Sequence, residues 1–286
     1  MNKDKILITG AHGQLGVELV TLLENAECQV YGYGRNEMDI TDFEQVNDII
    51  DRVRPTVIIH AAAYTRVDDA ESEIDQAFLV NAYGTRNVAV AAQKVDAKLV
   101  YISTDYVFDG NSHAPYNEFV APSPINVYGK SKWAGERFVA DLHSKFFIVR
   151  TSWVYGKHGN NFVKTMLKLG QKQKELFVVD DQIGCPTYAV DLAAQIFQLI
   201  QTEKYGIYHV SNSGSCSWYE FAKAIFEETG LIVRLERCKT KDYPRPAARP
   251  LYSVLEHMAL RLNGFKELRH WREALKEFIG LYEVES

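Results

Sequence analysis

Hydrophobic and polar positions along the first half of the chain alternate between two periods. Short apolar runs recur at Lys5–Thr9, Gln29–Tyr33, Val57–Ala61, Lys98–Ile102 and Phe146–Arg150. Such near-continuous runs are what strands buried on both faces of a parallel sheet require. Between them the period lengthens to that of amphipathic helices. One spans Gln14 to Glu24, one is capped by Thr41 or Asp42 and ends before Pro55, and a long one covers Ile74 to Lys94. The alternation predicts an α/β fold, a doubly wound parallel sheet with helices on both faces. After Thr151 it weakens. Helical spacing returns at Phe162–Leu169, Val190–Gln201 and Trp218–Thr229, with strand-like runs at Phe177–Val179 and Tyr208–Val210. Asp242–Pro250 carries three of the eight prolines and is predicted to be irregular. The expected organisation is a sheet domain over 1–151, with part of 187–210 returning to it, and a smaller lobe mainly over 152–286. No internal repeat or low-complexity segment interrupts this pattern.

Composition narrows the setting. With 47% hydrophobic and 24% charged residues, the 286-residue chain is ordinary for a globular protein with a full core. A net charge of −5 argues against a general nucleic-acid or membrane-surface binder. The apolar run after Met1-Asn2-Lys3-Asp4-Lys5 ends at Gly10, too short for a signal-peptide core or a membrane span. Cys28, Cys185, Cys216 and Cys238 are widely separated, with no paired spacing and no clustered histidines. Reduced thiols in a cytoplasmic protein fit this better than a disulfide framework or a zinc site.

The chemistry begins directly after the first strand. Gly10, His12, Gly13, Gln14, Leu15 and Gly16 form a glycine-rich turn that opens a helix. Glycines let backbone approach a pyrophosphate, and the helix aims free N–H groups and its dipole at it. The first domain therefore reads as a Rossmann-like dinucleotide-binding unit. An NAD-preferring site places a carboxylate at the end of the second strand to hold the ribose 2′-hydroxyl. Here that position reads Gly32-Tyr33-Gly34-Arg35, and a guanidinium suits a 2′-phosphate, so NADPH is expected in preference to NADH. Asp39 and Ile40 follow as contacts for the adenine end, with turn capping as Asp39's other role. Ala61, Ala62, Ala63 and Tyr64, after the third strand, let backbone lie close to the cofactor or simply pack tightly.

Tyr128 and Lys132 are four residues apart, which on a helix stacks their side chains on one face. An ammonium beside a phenol, whose ordinary pKa is about 10, stabilises the phenolate and makes a general acid. Thr104, at the carboxyl end of the fourth strand, adds a hydroxyl where ligands of open parallel sheets bind.

Together the glycine turn, Ser103-Thr104 and Tyr128-x-x-x-Lys132 resemble the extended short-chain dehydrogenase/reductase superfamily. Ser103 to Gly110, Tyr128 to Lys132, Arg150 to Gly156, Gly159 to Phe162, Asp181 to Thr187 and Ala248 to Pro250 resemble the dTDP-4-dehydrorhamnose reductase family within it, over essentially the whole chain. The resemblance implies NADPH-dependent reduction of the 4-keto group of dTDP-4-dehydro-L-rhamnose. Tyr128 would protonate the sugar O4, Lys132 would lower the tyrosine pKa and bind the nicotinamide ribose, and Thr104 would polarise the carbonyl. Thr65, Val67, Asp105, Tyr106 and Trp153 would meet the sugar, Arg249 the diphosphate, and Asn160 and Asn161 the nucleotide. Some members hold magnesium through glutamates at a dimer contact. Glu18 matches one such position but Val190-Asp191 lacks the second glutamate, so no metal is expected to be required, and a homodimer is the assembly left open. Two other readings share the superfamily: a non-catalytic subunit resembling the β subunit of methionine adenosyltransferase, and a nucleotide-sugar epimerase or dehydratase. The intact Thr104, Tyr128 and Lys132 weigh against the first, and the lack of a glutamate after Asp105 against a dehydratase.

Overall fold

Six parallel strands run through the centre of the computed structural model, which describes residues 4–285; Met1–Lys3 lie outside the described residues. In chain order the first half consists of β1 (Lys5–Thr9), α1 (Gln14–Asn25), β2 (Gln29–Tyr33), α2 (Phe43–Val53), β3 (Val57–His60), α3 (Ile74–Phe78), α4 (Thr85–Lys94), β4 (Lys98–Thr104), α5 (Val127–Leu142) and β5 (Phe146–Thr151). The second half continues with β6 (Val154–Tyr155), α6 (Phe162–Lys172), β7 (Glu175–Val179), β8 (Ile183–Gly184), β9 (Thr187–Tyr188), α7 (Ala189–Ile200), β10 (Gly206–His209), β11 (Asn212–Ser213), β12 (Cys216–Ser217), α8 (Trp218–Thr229), β13 (Arg234–Cys238), α9 (Met258–Leu262), β14 (Leu268–His270) and α10 (Trp271–Glu285).

The sheet order is β2-β1-β3-β4-β5-β10, all parallel. Its strands are buried on both faces. Ile6, Ile8, Val57, Ile59 and Val100 pack with Leu15, Leu19 and Leu23 of α1 and Leu192, Ile196 and Leu199 of α7. Leu7, Ile58, Leu99 and Ile148 pack on the other side against Val46, Ile49 and Ile50 of α2 and Val88 of α4. This is the arrangement that unbroken apolar runs demand. Strand β10 and helix α7 come from beyond residue 187, so the chain returns to the sheet after leaving it.

A second core gathers Tyr155, Val163, Phe221, Ile225, Trp271 and Phe278 from α6, α8, α10 and the short strands around them. The parallel pair β7–β13 flanks it. The irregular 242–257 stretch folds back to the first domain: Asn126 donates from its Nδ2 to Ala248 O at 2.8 Å, and Tyr116 N donates to Val254 O at 2.8 Å.

One element differs from its expected form. The single helix predicted over Ile74–Lys94 is interrupted by a π-helical segment at Leu79–Gly84 between α3 and α4. Its buried Asn81 accepts from Tyr64 N at 2.8 Å and donates to Tyr64 O at 3.0 Å and to Ser131 Oγ at 3.0 Å. The wider turn brings one amide to the loop after β3 and to helix α5 at once, and such bulges are frequent near functional sites. Periodicity alone cannot show it, because the apolar spacing is barely disturbed. Among the described residues, no helix is long and apolar enough to cross a membrane.

Candidate active site

The carboxyl ends of β1 to β5 open into one cleft of about 1050 Å³. It is lined by Gly10, His12, Gly13, Gln14, Leu15 and Gly16 from the first turn, by Gly34, Arg35, Asp39 and Ile40 after β2, and by Ala61–Arg66 after β3. Thr104 and Asp105 after β4, Tyr128 and Lys132 on α5, and Trp153 and Asn160 beyond β5 complete the wall. Residues separated by more than a hundred positions meet because every loop leaves the sheet on the same side.

The first turn is a backbone cradle. Gly10 has φ +69°, and a Cβ there would lie 2.7 Å from Ala62 N; one at Gly16 would lie 2.2 Å from Gly10 O. Neither position tolerates a side chain. Gly13 caps α1 without any side-chain hydrogen bond, so the first N–H groups of the helix are left for an anion. Gln14 ties the cradle to the second lobe, donating to Val154 O at 2.9 Å and accepting from Asn161 Nδ2 at 2.9 Å. Asn161 is thus a structural link that also caps α6, while Asn160 lines the cleft.

At the far end of the cradle, Arg35 is exposed on the cleft wall. Sequence reasoning found no carboxylate here, but the fold supplies one. Glu37 Oε2 accepts from Gly34 N at 2.7 Å and stands 3.6 Å from His12 Nε2. The turn at Gly34, which also receives Glu37 N and Met38 N, folds Glu37 back beside the position that the strand end alone would predict. Asp39 both lines the cleft and closes a turn, accepting from Thr41 N at 3.0 Å and Thr41 Oγ1 at 2.8 Å.

Tyr128 lies in the first turn of α5, started by Asn126, whose side chain accepts from Gly129 N at 2.7 Å. Lys132 follows one turn later. Its ammonium donates to Ile102 O at 2.6 Å and lies 4.1 Å from the centre of the Tyr101 ring. Burial pushes its pKa down to about 7, against the pull of Glu136. Glu136, a further turn along α5, pairs with buried Arg150 at 2.7 Å and accepts from Ser103 Oγ at 2.5 Å.

The expected lowering of the Tyr128 pKa is not what this environment produces. Burial, and then the Asp105 carboxylate, push the phenol up to about 12, opposed only by a hydrogen bond with Thr104. Asp105 is itself pushed up to about 6, burial outweighing hydrogen bonds with Ser253 and Thr104. Thr104 donates to Asp105 Oδ1 at 3.1 Å and accepts from Tyr106 N at 3.1 Å. The wall therefore sets a phenol, a hydroxyl and a carboxyl together, the hydroxyl donating to the carboxyl.

Besides Asn161, three of the anticipated contacts lie outside the cleft lining. Tyr106 meets the Tyr128 ring edge-on at 5.8 Å, and Val67 is half-buried in the loop after β3. Arg249 pairs with Asp68 at 2.8 Å, with Arg245 4.0 Å from the same carboxylate. Glu18 faces His158 at 4.0 Å, and Asp191 is taken up by Arg269. Among the described residues, no group of three or more His, Cys, Asp or Glu is placed to share a metal ion. Trp218, unremarked in the sequence except as the start of a helix, stacks directly on Trp153.

Known proteins resemble the chain along essentially its whole length. The family model described as the RmlD substrate binding domain matches residues 4–284. A crystal structure titled dTDP-4-dehydrorhamnose reductase from Bacillus anthracis, in complex with NADP, is 53% identical, covers 99% of this chain and 100% of its own, and superposes with a TM-score of 0.96. The spore coat polysaccharide biosynthesis protein SpsK of Bacillus subtilis is 46% identical, with 96% of each chain covered. A dTDP-4-keto-6-deoxy-D-glucose reductase of Streptomyces niveus is 42% identical over 99% of both. The chain belongs to the family of the RmlD substrate binding domain, that of the dTDP-4-dehydrorhamnose reductases.

Proposed function

We infer that this protein reduces the 4-keto group of dTDP-4-dehydro-L-rhamnose to give dTDP-L-rhamnose, with NADPH as reductant. The observation that carries the reading is the meeting of Thr104, Tyr128 and Lys132 on one wall of a cleft whose floor is the Gly10–Gly16 cradle. The site fits the cofactor on its own terms: two glycines that admit no Cβ, an uncapped helix N-terminus, and Arg35 beyond them. The cradle and α1 would hold the pyrophosphate, Arg35 and His12 the 2′-phosphate, and Lys132 the nicotinamide ribose. When bound, the nicotinamide supplies the hydride.

The chain's own residues handle the proton. With its pKa pushed up to about 12, Tyr128 carries its proton throughout the physiological range. The oxygen of a ketone accepting hydride becomes an alkoxide, a much stronger base than phenolate, so transfer from Tyr128 remains downhill. Lys132, fixed one helical turn away, stabilises the phenolate left behind. Positioned proton donation of this kind is worth roughly 10²–10⁴-fold in rate. Thr104 has a single donor, and here it points to Asp105 Oδ1. Protonation of Asp105 reverses that bond and frees the threonine hydroxyl to donate to the ketone oxygen.

The test is NADPH oxidation by the purified protein, with dTDP-4-dehydro-L-rhamnose compared against dTDP-4-keto-6-deoxy-D-glucose. Faster turnover of the first supports the reading. Preference for the second would reassign the substrate, and turnover of neither would overturn the reductase reading.

A further inference from the structure

The indoles of Trp153 and Trp218 lie face to face, with centroids 3.4 Å apart and planes 8° from parallel. Phe162 meets Trp218 at 4.5 Å, so a column of three rings runs from the cleft wall into the second core. The Trp218 N–H donates to Gln182 Oε1 at 3.2 Å, and Ser217 and Glu220 form a capping box that fixes the start of its helix. The edge of Trp153 lies so close to Gly184 that a Cβ there would be 2.6 Å from the ring.

Trp153 also has a backbone φ of +47°. An L residue with a bulky side chain adopts that conformation only when its surroundings over-determine it. Nor is a near-parallel, directly overlapping stack the arrangement that two free aromatic rings prefer. Both departures have the same consequence. One face of Trp153 is covered by Trp218, an edge is set against Gly184, and the ring remains part of the cleft lining. Only the uncovered face is open to a ligand.

We propose that Trp218 is a positioning residue for the sugar: it braces Trp153 from behind and holds its free face as a fixed apolar floor beneath the keto-sugar ring. The proposal rests on the reading above that Trp153 meets the sugar. It adds that the floor is two indoles thick, set from the second lobe, and rigid before substrate arrives. A flat floor keeps the ring carbon to be reduced at a constant height relative to Tyr128, and small misplacements of a reacting group are costly in rate.

The experiment compares wild type with Trp218→Ala, Trp218→Phe and Trp153→Phe. It measures KM and kcat for dTDP-4-dehydro-L-rhamnose, the Kd of NADPH by fluorescence, and far-ultraviolet circular dichroism. Two stacked indoles couple excitonically, so the wild type is expected to show a couplet that both phenylalanine variants lose. Trp218→Ala is expected to raise KM by about tenfold with the NADPH Kd unchanged, and Trp218→Phe to recover most of that loss. Absence of the couplet in the wild type, or its survival in Trp218→Phe, would overturn the brace. So would an unchanged KM in Trp218→Ala, failure of phenylalanine to rescue, or a parallel rise in NADPH Kd, which marks a general defect of the lobe. If the wild type leaves the sugar unreduced, the functional reading fails while the couplet still decides the stacking.

Discussion

Three residues of the cleft wall differ in charge, and the proposed reaction would use each differently. Tyr128 is neutral and loaded, Lys132 is close to losing its proton, and Asp105 is close to gaining one. Replacing Tyr128 by Phe removes the donor alone. Turnover should fall by roughly 10²–10⁴-fold while the NADPH Kd, read by cofactor fluorescence, stays within error; retained turnover would exclude the phenol as the acid. In the proposed reaction Lys132 would act through its ammonium, which burial makes easier to deprotonate, so that form is lost as pH rises through about 7. The kcat/KM for the keto-sugar should then decline on the alkaline side of that value, and a flat profile from neutral to alkaline pH would contradict the role. At the other end of the cleft, Arg35 and Glu37 are expected to pull selectivity in opposite directions. Arg35→Ala should weaken NADPH more than NADH. Glu37→Gln, which removes a carboxylate beside His12 but keeps an acceptor for Gly34 N, should favour NADPH over NADH by several-fold. Equal effects on the two cofactors would remove either residue from the 2′-phosphate site.

Helix α5 presents Tyr128, Lys132 and Glu136 in successive turns along one face, so the proposed chemistry would depend on it. Its start is pinned by Asn126, which accepts from Gly129 N and donates to Ala248 O, so the helix cap is also a tie to the proline-rich segment. Gly129 packs against the next loop, where a Cβ would sit 2.1 Å from Tyr106 O. Loss of an N-cap costs about 1 kcal/mol. Asn126→Ala should show about that loss in urea denaturation and a fall in kcat larger than the change in NADPH Kd, because Tyr128 lies in the turn that frays. A variant with unaltered kcat would separate the cap from the positioning of the tyrosine. The spacing of Tyr128 and Lys132 was visible in the sequence; the Asn126 cap and what the helix packs against were not. Lys132's ammonium is held by Ile102 O and Tyr101, residues of a strand some thirty positions earlier.

Across the whole molecule, the two lobes are joined at both ends of the cleft. Gln14 and Asn161 close one end, Asn126 with Ala248 and Asp68 with Arg249 the other. The buried histidines give the fold an acid limit. Burial lowers His60 from 6.5 to about 3 and His143 from 6.5 to about 4. In the folded state both are neutral at values where the unfolded chain protonates them, so the unfolded state binds more protons and stability falls as pH drops from 6.5 towards 4. Asp105, raised from 3.8 to about 6, contributes with the opposite sign over part of that range. His143→Gln should therefore keep more of its neutral-pH stability at pH about 4.5 than the wild type does, measured as urea midpoints at the two pH values. Parallel losses in both proteins would show that His143 does not contribute.

By itself the sequence determined the parallel sheet, the glycine cradle and the Thr104, Tyr128 and Lys132 set, because each depends on local spacing: apolar runs, glycines before a helix, a tyrosine one turn from a lysine. Tertiary structure alone decided the electrostatics. The phenol moves up where a neighbouring lysine suggested down, because burial and Asp105 raise it while the Lys132 ammonium is engaged by Ile102 O and Tyr101. Folding also brought Glu37 back beside His12, committed Asn161 to Gln14, held Arg249 on Asp68, and set Trp218 behind Trp153. Desolvation and contacts between distant segments depend on the surroundings of a side chain in three dimensions, and no periodicity along the chain encodes them.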